Sequence, residues 1–273
     1  MFKKLKARKL KNKLLKHTLL YLSLIVFLLD NRRMRRNSGK TIVLVFHHID
    51  QPKRLESILH LAGRYYRLIS FGDWLSGNKS KELVNVIFSF DDGYSSWQDA
   101  LEILRRFRVR GCLFFVCSGF INDSYPDFCK KIGTWAEPAL READISSIVR
   151  DHYLGSHTDL HTSAATFDFA DLEVLCSSDI KLMERYKQFT PRTMALVQGI
   201  LPRAGRAQET SFDYIFSCLP GYLEENTQEY PILPRTNVGL RYSFLMIPVI
   251  TGHYNAVLNT YLRITKILRK IHE

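Results

Sequence analysis

Ile87-Phe88-Ser89-Phe90-Asp91-Asp92-Gly93-Tyr94 is the stretch on which the reading of this chain turns. Val84 to Phe90 is an apolar, β-branched and aromatic run of strand length, and it ends in two adjacent carboxylates and a glycine. A second stretch, Leu154-Gly155-Ser156-His157-Thr158-Asp159-Leu160-His161-Thr162, ends another short strand in two histidines four positions apart. Asp-Asp-Gly alone is more often a turn than a site, and a lone pair of histidines at this spacing is as often structural. Together, at strand ends, a carboxylate and two imidazoles make a facial set for one divalent metal, with coordination positions left for water and substrate. The other carboxylate is then available as a base on that water. The chemistry is that of a metal-dependent hydrolase.

Outward from these motifs the pattern alternates strand and helix. Strands are expected at Thr41 to Phe46, Val84 to Phe90, Cys112 to Cys117, before Gly155, and at Thr193 to Val197, Tyr214 to Cys218 and Arg235 to Val238. Helical or turn segments are expected at Leu55 to Tyr66 and Phe71 to Ser76. Ser95 or Ser96 is placed to cap a helix whose apolar face is Trp97, Leu101, Leu104 and Phe107. Ile145 to Arg150 completes a helix, and Leu172, Leu175, Cys176, Leu182, Met183 and Tyr186 mark an amphipathic one. Asn122 to Gly133 reads as a loop. Val257, Leu258, Tyr261, Leu262, Leu268 and Ile271 read as a closing helix. Strands separated by helices require a parallel sheet with helical crossovers, and sites in such sheets lie at the carboxyl ends of the strands. Asp91, Asp92, His157 and His47 all fall there.

Phe-Asp-Asp-Gly followed by Gly-Ser-His-Thr-x-x-His resembles the polysaccharide deacetylase family, or NodB-homology domain, over roughly Thr41 to Gly252. Val43-Leu44-Val45-Phe46-His47-His48-Ile49, Gly111-Cys112-Leu113-Phe114-Phe115-Val116 and Leu233-Pro234-Arg235-Thr236-Asn237-Val238 are similar to further strands of that family. The resemblance implies an α/β fold, an irregular (β/α)7-type barrel. It implies one divalent ion of the Zn²⁺ type on Asp92, His157 and His161, with Asp91 as general base. A backbone N–H after Asp92 would receive the oxyanion. Asp159 is a candidate to orient a histidine from outside the ligand set, and Arg235 to pair with Asp91. The implied substrate is an acetylated glycan. The chain departs from the family where Met194-Ala195-Leu196-Val197-Gln198-Gly199 replaces an aromatic-proline groove motif. The late Leu-His that supplies the family's general acid is also missing, with His253 its one late stand-in.

At 273 residues, 46% apolar and 24% charged, the chain has the size and composition of one globular domain with a substantial core. Its charge is not evenly spread. Residues 1–40 hold thirteen Lys or Arg and one acid, for +12, and the remaining chain is neutral. Two regions are therefore expected: a basic and apolar arm over 1–40 and a barrel domain over 41–273. With the excess confined to the arm, the pI near 9.5 does not argue for nucleic-acid binding by the main domain. In the arm, Lys and Leu alternate to Lys16, Thr18 to Leu29 is nearly all apolar, and Arg32, Arg33, Arg35 and Arg36 follow. At ~1.5 Å per residue the apolar part falls short of the roughly 30 Å hydrocarbon core. The expectation is a basic helix that binds an anionic membrane surface through residues 1–36, on the cytoplasmic side. A helix packed on the barrel and an uncleaved signal anchor that exports the domain are the alternatives. The five cysteines, Cys112, Cys117, Cys129, Cys176 and Cys218, are odd in number and lack zinc-knuckle spacing, so they read as small buried hydrophobes rather than disulfides. The expected function is deacetylation of a cell-surface polysaccharide or its lipid-linked precursor. The rival expectation is a weakly active relative that binds glycans or regulates their synthesis.

Overall fold

The computed structural model describes residues 2–29, 36–122, 138–187, 191–225, 232–237, 245–254 and 256–261. The expected loop beyond Asn122, Cys129, Val238, three of the arm's arginines (Arg32, Arg33 and Arg35) and the closing helix beyond Tyr261 lie outside these residues. The element order is α1 (Phe2–Leu29), β1 (Thr41–Phe46), α2 (Pro52–His60), β2 (Tyr66–Leu68), α3 (Phe71–Leu75), β3 (Val84–Asp92), α4 (Trp97–Arg106), β4 (Leu113–Val116), α5 (Glu142–Asp151), β5 (Tyr153–Ser156), α6 (Leu172–Leu175), α7 (Ser177–Arg185), β6 (Thr193–Ala195), β7 (Tyr214–Phe216), β8 (Ile232–Leu233), β9 (Thr236–Asn237) and α8 (Met246–Ile250).

All nine strands are parallel and form one sheet in the order β8-β7-β6-β5-β4-β3-β1-β9, with β2 alongside the start of β3. The two ends of this order, β8 and β9, are joined by Pro234 and Arg235 alone. A sheet whose first and last strands are two residues apart in the chain must curl on itself. This is the irregular α/β barrel expected from the strand–helix alternation. Alternate residues face the helical layer and the interior. Val86, Phe88, Phe90, Phe114 and Val116 join the large core under the helices, while Val43, Ile87, Leu113, Phe115, Ala195 and Phe216 form a second cluster inside the curl. Phe90 stacks on Phe114 with ring centroids 4.5 Å apart, and Trp97 closes on both.

Several boundaries differ from the sequence reading. Tyr66 opens a short strand instead of ending a helix, because Tyr66 and Leu68 pair with Val84 and Val86. The amphipathic run from Leu172 is broken into two helices at Cys176, whose ψ of 15° leaves the helical range. Ser96 does not cap α4 through its side chain; its hydroxyl accepts the N–H of Ile49 at 2.8 Å instead. Arg235 lies in the link between β8 and β9, not in a strand. Cys112, Cys117 and Cys176 are buried free thiols and Cys218 is half-buried.

In α1, Leu19, Leu20 and Ser23 are buried, and Phe27 packs edge-on against Tyr65 and His253. Among the described residues, no helix is long and apolar enough to cross a membrane.

Gly155 sits where β5 passes Phe115 and Thr193. A Cβ there would lie 2.5 Å from Thr193 Oγ1 and 2.7 Å from the Phe115 ring. Overpacking of this kind costs about 1–3 kcal/mol. We expect Gly155→Ala to lower stability by that amount, measured by urea denaturation.

Candidate metal centre

The sheet register assembles the site. Asp92 is the last residue of β3 and pairs with Val116 of β4, which pairs with Ser156 of β5; His157 follows at once, its N–H donating to Val116 O at 2.8 Å. The carboxylate and the first imidazole therefore converge over the end of β4. Alternation sends Asp91 to the barrel interior with Ile87 and Ser89. By the same rule Asp92 would face the helices. It does not, because its φ of 85° turns the chain one residue before Gly93 does. Thr158 and His161 are also left-handed, at φ 64° and 52°. A β-branched residue there is strained, and such strain is tolerated where surrounding contacts over-determine it. At Thr158 the contacts are visible: its N–H donates to Ser156 Oγ at 3.1 Å, and its Oγ1 accepts the N–H of Thr162 at 2.7 Å.

Asp92 Oδ1 lies 3.2 Å from His157 Nε2 and 3.3 Å from His161 Nε2. Asp92 and His157 are nearly fully buried, and the three donor atoms lie within 4.8 Å of one another. The two contacts meet a distance criterion, but Oδ1 has no well-directed hydrogen bond. Three ligand atoms that face a common point without bonding pairwise are what a single cation between them requires. Oxygen and imidazole donors suit an ion of the Zn²⁺ class. Burial raises the Asp92 carboxyl, but the two imidazoles outweigh it and hold it well below the usual carboxylate range. Burial lowers His157, yet Asp91 and Asp92 raise it on balance. His157 is fixed from behind, its Nδ1 2.8 Å from the carbonyl oxygen of Ala195, which points Nε2 at Asp92.

Asp91 is held by Arg235. The guanidinium makes a bidentate pair, Nη1 to Oδ1 at 2.7 Å and Nη2 to Oδ2 at 2.9 Å. Arg235 is fully buried; its Nε donates to Ser217 O, and the rings of Phe115 and Phe216 cover it at 5.1 and 5.8 Å.

The structure reassigns Asp159. Its carboxylate accepts the backbone N–H groups of Ser178 and Asp179 and the hydroxyl of Ser177, so it anchors the start of α7 rather than orienting a histidine. Asp179, which sequence reasoning passed over, is the buried acid behind the histidine loop. It accepts the N–H of Ser118 at 2.7 Å and the hydroxyl of Ser156, the same oxygen that holds Thr158. Burial raises its carboxyl to about 7. The signal was present: Asp179 falls three residues after Cys176 and four before Met183, on the apolar side of the helix. His253 packs on Phe27 and Thr251 at the other end of the barrel, since Asn37, which precedes β1, donates to Thr251 O. His47 is half-buried, its backbone oxygen accepting from Trp97 Nε1, and it adds a lesser contribution to the field on Asp92.

No protein-family model and no curated protein sequence matches the chain. Solved structures do. The deacetylase PplD of Streptococcus pyogenes, solved with acetate, superposes with a TM-score of 0.60 at 12% identity, covering 77% of this chain and 98% of that one. The IcaB protein of Ammonifex degensii gives 0.58 at 16%, covering 78% and 97%. A polysaccharide deacetylase of Bacillus cereus gives 0.56 at 18%, covering 77% and 69%. The fold is that of the polysaccharide deacetylases. At these identities the likeness speaks for the deacetylase fold and for its irregular barrel, while the site rests on the geometry above.

Removing Arg235 would leave Asp91 buried and unpaired. Breaking a buried pair from one side costs about 3–5 kcal/mol. Arg235→Met is expected to lower unfolding free energy by that much in denaturant titrations, and Asp91→Asn in the same background to recover part of the loss.

Proposed function

We propose that this protein is a metal-dependent carbohydrate deacetylase. It would hydrolyse the N-acetyl, or O-acetyl, group of a sugar in a cell-surface polysaccharide or its lipid-linked precursor. The observation that carries this is the convergence of Asp92, His157 and His161 beside a carboxylate, Asp91, that is oriented by a buried arginine, on a deacetylase fold. An ion of the Zn²⁺ class would supply Lewis acidity and a water acidified toward ~pH 7. The chain's own residues supply the rest. Asp92, His157 and His161 hold the ion. Asp91, fixed by Arg235, takes the proton of the attacking water on its carboxylate and keeps it away from the leaving amine until the C–N bond breaks. Backbone N–H groups beyond the turn at Asp92 and Gly93 are the donors available to the oxyanion. The basic arm would bring the enzyme to an anionic membrane surface.

One observation favours a second reading, a glycan-binding relative of low turnover: His253, the late histidine, sits at the end of the barrel away from the triad. Metal analysis and acetate release from a panel of acetylated oligosaccharides separate the two. Acetate release is expected; a metal-loaded chain that binds oligosaccharide and releases none is the outcome that decides for the second.

His157→Ala/His161→Ala is expected to abolish stoichiometric metal binding while circular dichroism shows an intact fold. Because the metal-free protein raises His157, an ion must displace its proton. Apparent affinity should therefore fall as pH drops through that range, by up to about tenfold per pH unit for one displaced proton, in competition titrations with a chelating dye.

Asp91→Asn should keep the metal and lose about 10²–10⁴-fold in rate, the usual cost of a lost general base. Parent-like acetate release in that variant would place the base elsewhere.

A further inference from the structure

We propose that the amino-terminal end of the barrel is a membrane-docking face, which seats the protein on an anionic lipid surface with the metal triad turned away from it. Its consequence for substrate rests on the deacetylase reading; the docking itself does not.

The first observation is a division of α1 into two sides. Leu19, Leu20 and Ser23 are turned inward and buried, and Leu20 joins the main core. Tyr21, Leu22, Ile25, Leu28 and Leu29 are 46, 46, 53, 72 and 83% exposed. At 100° per residue these five form one stripe opposite the buried side. Large apolar residues gathered in a stripe on an exposed helix mark an interaction surface. The occupant is chosen by charge. The first forty residues carry thirteen cations and one anion, so a second copy of the same face would be repelled, whereas an anionic bilayer satisfies both the stripe and its basic flanks.

The second observation is independent of α1. Exposed arginines gather at the same end of the barrel. Phe27 meets Tyr65, which precedes β2; Arg64 stacks over that ring and Arg67 follows it. Arg105 ends α4, and Arg108 and Arg110 precede β4. Two shallow cavities of about 430 and 680 Å³ share Arg108, with Arg105 lining the first and Arg67 the second. Asp151 and Asp73 also line them, and Arg110 pairs with Asp151 at 3.2 Å; Arg106 nearby is taken by Glu56. Arg64, Arg67, Arg105 and Arg108 remain the outward cations.

All strands are parallel, so these strand starts share one end, and Asp92, His157 and His161 lie at the other. Along β3 the separation is about 25 Å, at roughly 3.3 Å per residue. A catalytic end that far from the docked face reaches sugars of a polymer that extends from the membrane. It does not reach a lipid-linked sugar lying in the headgroup plane.

The test uses the full chain loaded with metal. Phosphatidylserine-containing vesicles are expected to co-sediment the protein, more weakly as salt rises, and phosphatidylcholine vesicles are not. Leu22→Glu/Ile25→Glu/Leu28→Glu changes exposed positions only, and thermal melting confirms its fold. It should lose at least about tenfold in vesicle affinity. Orientation is read with an environment-sensitive fluorophore at Arg105→Cys or at Val174→Cys, in a background with Cys129 and Cys218 changed to Ser. Val174 is 75% exposed at the triad end, where Leu175 O accepts the N–H of Asp159. Vesicles should shift the emission of the first label and not of the second. Undiminished binding by the triple variant overturns the proposal, as does a response at position 174. A triple variant that turns a dimer into a monomer on gel filtration also overturns it, by making the stripe a contact between copies. Vesicle binding by a chain that releases no acetate upholds the docking face and removes only the substrate consequence.

Discussion

The pairing of Arg235 with Asp91 is the interaction on which the architecture and the site both depend. Arg235 stands in the two-residue link between the first and last strands of the sheet order, and its guanidinium reaches Asp91 on β3, in the interior of the curl. A full positive charge in an apolar interior is costly unless it is paired and its remaining donors are used. Here the carboxylate, Ser217 O and two aromatic faces meet that requirement. The same contact fixes the orientation of the carboxylate beside the metal ligands. The chain thus uses one ion pair to tie its sheet edges to its chemistry.

The geometry of the ligand set rests on backbone rather than on side-chain packing. Asp92, Thr158 and His161 all adopt left-handed conformations, and hydrogen bonds at each turn hold them there. Behind them stands a second layer: Ala195 O on His157, and Asp179 through Ser156 on Thr158. A site held this way keeps its donors in place before any ion arrives, which lowers the ordering cost of binding.

How much of this could be read from residues follows from what carries the information. Thr41 to Phe46 and Val84 to Phe90 were legible as strands because an unbroken β-branched and aromatic run fits little else. The triad was legible because its members lie at the ends of such strands. The bonding of Arg235 was open between catalysis and structure, since its partner lies 144 residues away and only the closed sheet brings them together. The strands β2, β8 and β9 are two or three residues long, too short for any periodicity to show. Asp159 misled because proximity in sequence to two histidines suggested a role beside them, while the three-dimensional partner of its carboxylate is the start of α7. Asp179 was masked by the helix pattern around it, which invites an apolar reading of every residue on that side.

The link between β8 and β9 has a further consequence for the way the molecule comes together and apart. A loop of 144 residues must be gathered before Arg235 meets Asp91, and the entropy of that closure, (3/2)RT ln n, is about 4 kcal/mol beyond its constant part. Contacts that span so much chain form late, after the local strand–helix–strand units between them. The triad needs only β3, β4 and β5, which are neighbours in sequence. The ligand cluster is therefore a property of one sector of the sheet, whereas the orientation of Asp91 belongs to the finished ring. Opening of the seam would release the carboxylate from its arginine and leave the sector that gathers the metal ligands in place, so this fold can part with its catalytic alignment before it parts with its ion.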